Sequence, residues 1–203
     1  MATLFEETTI KRMHLTNRLV RSATWEGMCD DDGRPTDKLA ACYQQLALGG
    51  VGLIISGFAF VRPDGKQHPG KMGIHTDDFA KAHAKLTAAV HAAGGKIAIQ
   101  LVHAGGQTRA AMAGRQPLAP STVEVAQFPE KPAALTADDI AAIVAAFAES
   151  ARRAKAWGYD AVQLHGAHGY LINQFLSPLT NQRTDAYGGS TDKRRRFLDE
   201  VYQ

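Results

Sequence analysis

Three times in 203 residues a helical run ends in glycine and an apolar segment follows at once. The first is Leu46-Ala47-Leu48-Gly49-Gly50-Val51-Gly52-Leu53-Ile54-Ile55. The second is Val90-His91-Ala92-Ala93-Gly94-Gly95-Lys96-Ile97-Ala98-Ile99, and the third is Ala154-Lys155-Ala156-Trp157-Gly158-Tyr159-Asp160-Ala161-Val162. Glycine just past a helix takes the left-handed conformation at little cost. Short, wholly apolar runs are what parallel strands covered on both faces look like. Repetition of that order restricts the chain to the α/β class with a parallel sheet.

Strands are expected near residues 19–24, 52–60, 96–102 and 160–165, and helices near 37–48, 77–93, 137–157 and 191–203. Thr36, Thr76 and Thr136 precede acids at three helix starts. Each hydroxyl can accept an orphan N–H while the acids suit the positive helix end. The last helix is expected to begin after Ser190. Ile140, Ile143, Val144, Phe147 and Ala151 recur at helical spacing. Thr8-Thr9-Ile10 and His14-Leu15 suit a small hairpin that plugs a barrel bottom. Four β/α units are half of a (β/α)8 TIM barrel, which takes about 250 residues. Residues 1–203 thus read as the N-terminal part of one barrel domain. The amphipathic pattern Phe197-Leu198-Asp199-Glu200-Val201-Tyr202-Gln203 has no terminal cap, so an interrupted or deliberately partial protein is expected.

Charge excludes some partners. The chain has 23 Lys+Arg against 20 Asp+Glu, a formal +3 that is small and scattered. No nucleic acid and no anionic membrane is expected as a partner. The basic run Lys193-Arg194-Arg195-Arg196 lies beside Asp192, Asp199 and Glu200, as in a solvated or phosphate-facing helix start. Cys29 and Cys42 form no C-x-x-C pair, so no zinc or iron–sulfur framework is expected. Their scarcity fits a reducing, cytoplasmic setting. Met1 to Met13 mixes Glu6, Glu7, Lys11 and Arg12 with apolar residues, unlike a signal peptide. No apolar run approaches the roughly 20 residues of a membrane helix.

The chemistry gathers after the fourth strand, at His165-Gly166-Ala167-His168-Gly169-Tyr170-Leu171-Ile172-Asn173-Gln174-Phe175-Leu176-Ser177-Pro178. Parallel strands in barrels and open sheets carry their chemistry at this end. Two imidazoles can grip an organic oxyanion, and a tyrosine can deliver a proton. The competing reading of His165 and His168 is a metal pair, which needs a third ligand. Asp160, at the other end of the strand, does not supply it. Tyr170 also reads as a half-buried aromatic with a hydrogen-bonded tip. Gln100, ending the third strand, either ties neighbouring strands or faces a ligand with both donor and acceptor. His103 reads as structural, and the loop from Asn181 to Gly189 as scaffold.

Together these residues resemble one family, the old yellow enzymes: FMN-dependent NAD(P)H:flavin oxidoreductases and ene-reductases. The segments that carry the likeness are Asn17-Arg18-Leu19-Val20, Gln100-Leu101-Val102-His103-Ala104-Gly105 and Pro120-Ser121. They continue as His165 to Pro178, Asn181-x-Arg183-Thr184-Asp185-x-Tyr187-Gly188-Gly189-Ser190 and Arg194-x-Arg196-Phe197. The resemblance implies that Ser22, Ala23 and Thr24 run under the flavin ring and that Gly57 lets the backbone approach it. Gln100 would meet the pyrimidine edge. His165 and His168 would hold the substrate oxygen, and Tyr170 would protonate the α-carbon of an activated, enone-like alkene. NADH or NADPH would be the reductant, and the partner a small-molecule substrate.

Two positions depart from the pattern. Trp25 occupies the place where many members carry Thr or Cys beside flavin N5, and so joins the substrate-binding candidates. Gly106 stands where many have Arg. The family's fifth-strand arginine and its phosphate loops after the seventh and eighth strands lie outside this sequence. The alternative expectation is therefore a partial barrel without bound FMN, inactive alone and prone to self-association as a homo-oligomer through exposed strand edges.

Overall fold

The computed structural model describes residues 3–125 and 127–203. In chain order the elements are β1 (Thr8–Ile10), β2 (Met13–Leu15), β3 (Val20–Arg21), α1 (Asp37–Leu48), β4 (Leu53–Ile55), β5 (Ala59–Phe60), β6 (Met72–Gly73) and α2 (Ala80–Ala92). There follow β7 (Ile97–Val102), α3 (Ala110–Ala113), β8 (Leu118–Ala119), β9 (Ala133–Ala134), α4 (Ala137–Ala156), β10 (Ala161–Leu164), α5 (Leu171–Leu176) and α6 (Thr191–Tyr202). Parallel strands alternate with helices, as in the early units of a (β/α)8 barrel. The chain divides into two compact units. One holds the residues up to Ala59 with Gly70–Gln100 and Ala151–Gln163; the other holds Phe60–Pro69, Leu101–Ser150 and Leu164–Gln203.

In the first unit, β3 pairs with β4 and β4 with β7, all parallel, with Val20 opposite Leu53 and Ile54 opposite Ile97. The expected hairpin forms: β1 and β2 are antiparallel, with Thr8 opposite Leu15. Leu15 packs with Leu53 and Ala98, against Met13, Ile55 and Ala161. Thr36 caps α1 by accepting from the Leu39 N–H. Gly50, Gly94 and Gly158, the punctuation read from the sequence, all have positive φ (85°, 78° and 91°). Asp160 then docks β10: its N–H donates to Ile97 O, and its carboxylate accepts from Ile97 N and Lys96 Nζ, each at 2.9 Å. On α2, His83 is wholly buried between Tyr159 OH at 2.8 Å and Gly73 O at 2.9 Å.

In the second unit, α4 starts from a reciprocal cap. Thr136 Oγ1 accepts from Asp139 N at 3.1 Å, and Asp139 Oδ2 accepts from Thr136 N at 2.9 Å. Ile140, Ile143 and Phe147 are buried, as their spacing requires. Helices α5 and α6 meet through stacked Phe175 and Phe197 rings, centroids 4.4 Å apart. The loop read as scaffold is one. Asn181 Nδ2 donates to Phe175 O and Tyr187 O, and Arg183 Nη1 donates to Pro120 O and Leu135 O. The basic run is laced along the α6 surface by Arg195–Asp199 and Arg196–Glu200 pairs.

Some boundaries differ from the expectation. The second strand breaks between β4 and β5 because the Gly57 N–H is taken by Tyr43 OH at 3.0 Å rather than by a ladder. The first strand keeps ladder pairing only over Val20–Arg21. The helix expected from residue 77 opens with a 3-10 turn, Asp77–Phe79, capped by Thr76. The short elements β6, β8, β9, α3 and α5 add to the expected set, and β8 and β9 pair in parallel.

Candidate active site

In the first unit, the expected flavin-side residues follow β3 and end the neighbouring strands. Ser22 and Thr24 are exposed and Ala23 is half-buried; Thr24 Oγ1 donates to Ser22 O at 3.2 Å. Gly57 has a packing reason of its own to lack a side chain. A Cβ there would lie 2.7 Å from Thr24 O and 3.1 Å from Glu26 Oε2. Gln100 Nε2 donates to Gln163 Oε1 at 2.6 Å, so the amide does tie β7 to β10. The pair still presents a second carbonyl and a second amide N–H group. That donor set fits the pyrimidine edge of a flavin. Gln163 went unsingled in the sequence, although it is the one polar residue of Ala161-Val162-Gln163-Leu164.

Behind these residues lies a charged network. Arg21 pairs with Glu26, whose Oε2 accepts from Tyr43 OH at 3.2 Å. Burial, with the Glu26 charge second, pushes the Tyr43 phenol far up, so it stays a donor. Trp25 is half-exposed and donates its indole N–H to Gly70 O at 3.3 Å.

In the second unit, His165, His168 and Tyr170 form one aromatic group. The His165 ring centroid is 5.2 Å from that of His168 and 4.8 Å from that of Tyr170, both edge-on. His165 Nδ1 accepts from Ala167 N at 3.3 Å, so the proton of the neutral ring sits on Nε2. Nε2 then carries the ring's N–H donor. Tyr170 is buried at the N-terminal end of α5. Burial raises its phenol above the ordinary value, opposed by a hydrogen bond from Gln67. A phenol so placed remains protonated at neutral pH and has a proton to give.

Amides that the sequence reading passed over hold this loop. Gln107 Nε2 donates to His168 O at 2.9 Å. Asn173 Oδ1 accepts from Gly169 N at 2.8 Å, and Gln174 Nε2 donates to Gly169 O at 2.6 Å. His103 is structural, as expected: it is buried and its Nε2 meets Asp64 Oδ1 at 3.2 Å. Arg62 joins Asp64 at 2.7 Å. Among the described residues, no group of three or more His, Cys, Asp or Glu side chains is arranged to hold a metal ion. Nor is any helix among them long and apolar enough to cross a membrane.

Comparison with known proteins identifies the family. Residues 3–203 match the model of the NADH:flavin oxidoreductase / NADH oxidase family, and the chain belongs to that family. It is 41% identical over 200 residues to an NADPH dehydrogenase of Clostridium acetobutylicum, and 42% identical over 203 residues to one of Bacillus subtilis. Each alignment covers 98% of this chain and 58% of the relative, so the chain spans under two thirds of their length. Among solved structures, morphinone reductase superposes with a TM-score of 0.92 at 34% identity, over 98% of this chain and 57% of that one. An old yellow enzyme homologue from Zymomonas mobilis superposes at 0.91 and 34% identity, over 98% and 58%.

Proposed function

We infer that the chain serves an FMN-dependent NAD(P)H oxidoreductase that reduces activated alkenes. The observation that carries this reading is the His165–His168–Tyr170 group, in which the His168 imidazole and the Tyr170 phenol each meet the His165 ring. FMN, when bound, supplies the two-electron carrier between the nicotinamide and the alkene. Ser22, Ala23, Thr24 and Gly57 are the backbone set for the flavin ring, and Gln100 and Gln163 supply the amides for its pyrimidine edge. His165 donates from Nε2 to the substrate's carbonyl oxygen, and His168 adds a second imidazole. As hydride reaches the β-carbon, charge builds on that oxygen, where fixed donors act most strongly. Tyr170 gives its proton to the α-carbon, and the alkene is saturated while the nicotinamide is oxidised.

Spectra and half-reactions test the reading. The purified chain is expected to take up FMN stoichiometrically. Tyr170→Phe is expected to slow alkene reduction by about 100-fold or more, while reduction of bound flavin by NADH or NADPH persists. A chain that stays colourless with added FMN, or equal loss of both half-reactions, would refute it.

A further inference from the structure

Lys71 has an environment that the proposed reaction does not use. The residue is only 6% exposed. Its Nζ lies 4.2 Å from the Trp25 ring centroid and 4.1 Å from that of Phe58. Lysines are seldom so buried without an anionic partner. Two aromatic faces attract a cation but accept none of its hydrogen bonds in the ordinary sense. Lys71 has three N–H donors. Among the described residues, no carboxylate or carbonyl lies within hydrogen-bonding distance of them. Glu26 is near enough to act on Lys71 through space, yet its carboxylate pairs with Arg21. Arg21 and Glu26 cancel, and Lys71 leaves the cluster with one uncompensated positive charge.

We propose that Lys71, with Trp25 and Phe58, forms a binding site for the carboxylate of a flat, apolar small molecule, and that this selects carboxylate-bearing substrates for the reaction proposed above. The ammonium takes the carboxylate, and the half-exposed Trp25 indole offers a face to the apolar body. A phosphate, as on a nicotinamide nucleotide, would present the same negative charge. A bare phosphate gains the ammonium alone, with no apolar body to lay against the half-exposed Trp25 indole, so the site favours the carboxylate of an apolar molecule. The substrate assignment rests on the oxidoreductase reading; the binding site itself does not.

Equilibrium dialysis of the chain against benzoate and its neutral isostere benzamide tests the site. At pH 7 benzoate is expected to bind at least tenfold more tightly than benzamide. Lys71→Arg should keep that preference, and Lys71→Met, which keeps the length of the side chain without its charge, should abolish it. Absence of the preference in the parent chain, or its survival in Lys71→Met, would overturn the site. Inorganic phosphate that displaces benzoate at equal concentration would overturn the carboxylate assignment. A colourless chain that keeps the Lys71-dependent preference loses the oxidoreductase reading and keeps the site. An alkene-reducing chain without the preference does the reverse.

Discussion

Gln107 Nε2 donates to the main-chain carbonyl of His168, a non-glycine residue held at φ 58°. A residue with a Cβ pays roughly 1–2 kcal/mol to sit in the left-handed region. The turn is kept there from both sides, by Gln107 on the His168 carbonyl and by Asn173 and Gln174 on the Gly169 peptide groups. This fixes where the second imidazole stands relative to His165.

Gln107→Ala should therefore act on ligand binding more than on folding. One hydrogen bond at a partly exposed position is worth about 1 kcal/mol, so urea denaturation should show a loss of that order. Binding of a phenolic or enone ligand should weaken about tenfold, and Gln107→Glu, which accepts rather than donates, should not restore it. Unchanged affinity in Gln107→Ala would remove Gln107 from the positioning of His168.

Gly105 should tolerate no side chain. It has φ 62°, and a Cβ there would overlap the Gln174 carboxamide, which also accepts from Gly106 N at 3.0 Å. Gly105→Ala is expected to cost roughly 2–4 kcal/mol from overpacking and backbone strain together. Thermal unfolding that moved by less than about 2 °C would contradict that geometry.

His83 gives the first unit an acid limit. Burial pulls its imidazole down to about 4, against the opposing hydrogen bond to Gly73. The ring is neutral when folded and takes a proton near 6.5 when unfolded. Between those values the unfolded chain binds more protons, so stability falls as pH drops from about 6.5 to about 4. The loss should amount to roughly 2–4 kcal/mol. It should be smaller in His83→Gln, where nothing titrates. Denaturation midpoints at pH 7, 5.5 and 4.5 check this; parallel slopes in both proteins would refute it.

Much of this was legible because its causes are local. Thr136 and Asp139 are three residues apart and cap α4 reciprocally, and His165, His168 and Tyr170 lie within six residues of one another. What was hidden depends on residues far apart in the chain. Gln107 is 61 residues from His168, and Tyr43 breaks the second strand from 14 residues away. Gln163 was hidden by its neighbours: in a four-residue apolar run it read as strand, and only its bond to Gln100 shows the two amides side by side. Lys71 carries no signal in its own neighbourhood of sequence; the rings over its ammonium, Trp25 and Phe58, come 46 and 13 residues earlier.

Benzoate binding should follow the titration of Lys71. Burial pulls its ammonium down to about 8, with Glu26 opposing. Below that value Lys71 is charged and benzoate is already an anion, so affinity should be flat from pH 6 to 7. Above about pH 8 the charge is lost, and affinity should fall by about tenfold per pH unit until it meets that of benzamide. Two neighbouring titratable groups stay out of this window. Burial pushes the Cys29 thiol up to about 12 and the Tyr43 phenol higher still, so both remain neutral. In Lys71→Arg the guanidinium stays charged throughout, and affinity should stay flat to pH 9.5. A fall of equal size in Lys71→Arg would assign the pH dependence to another group.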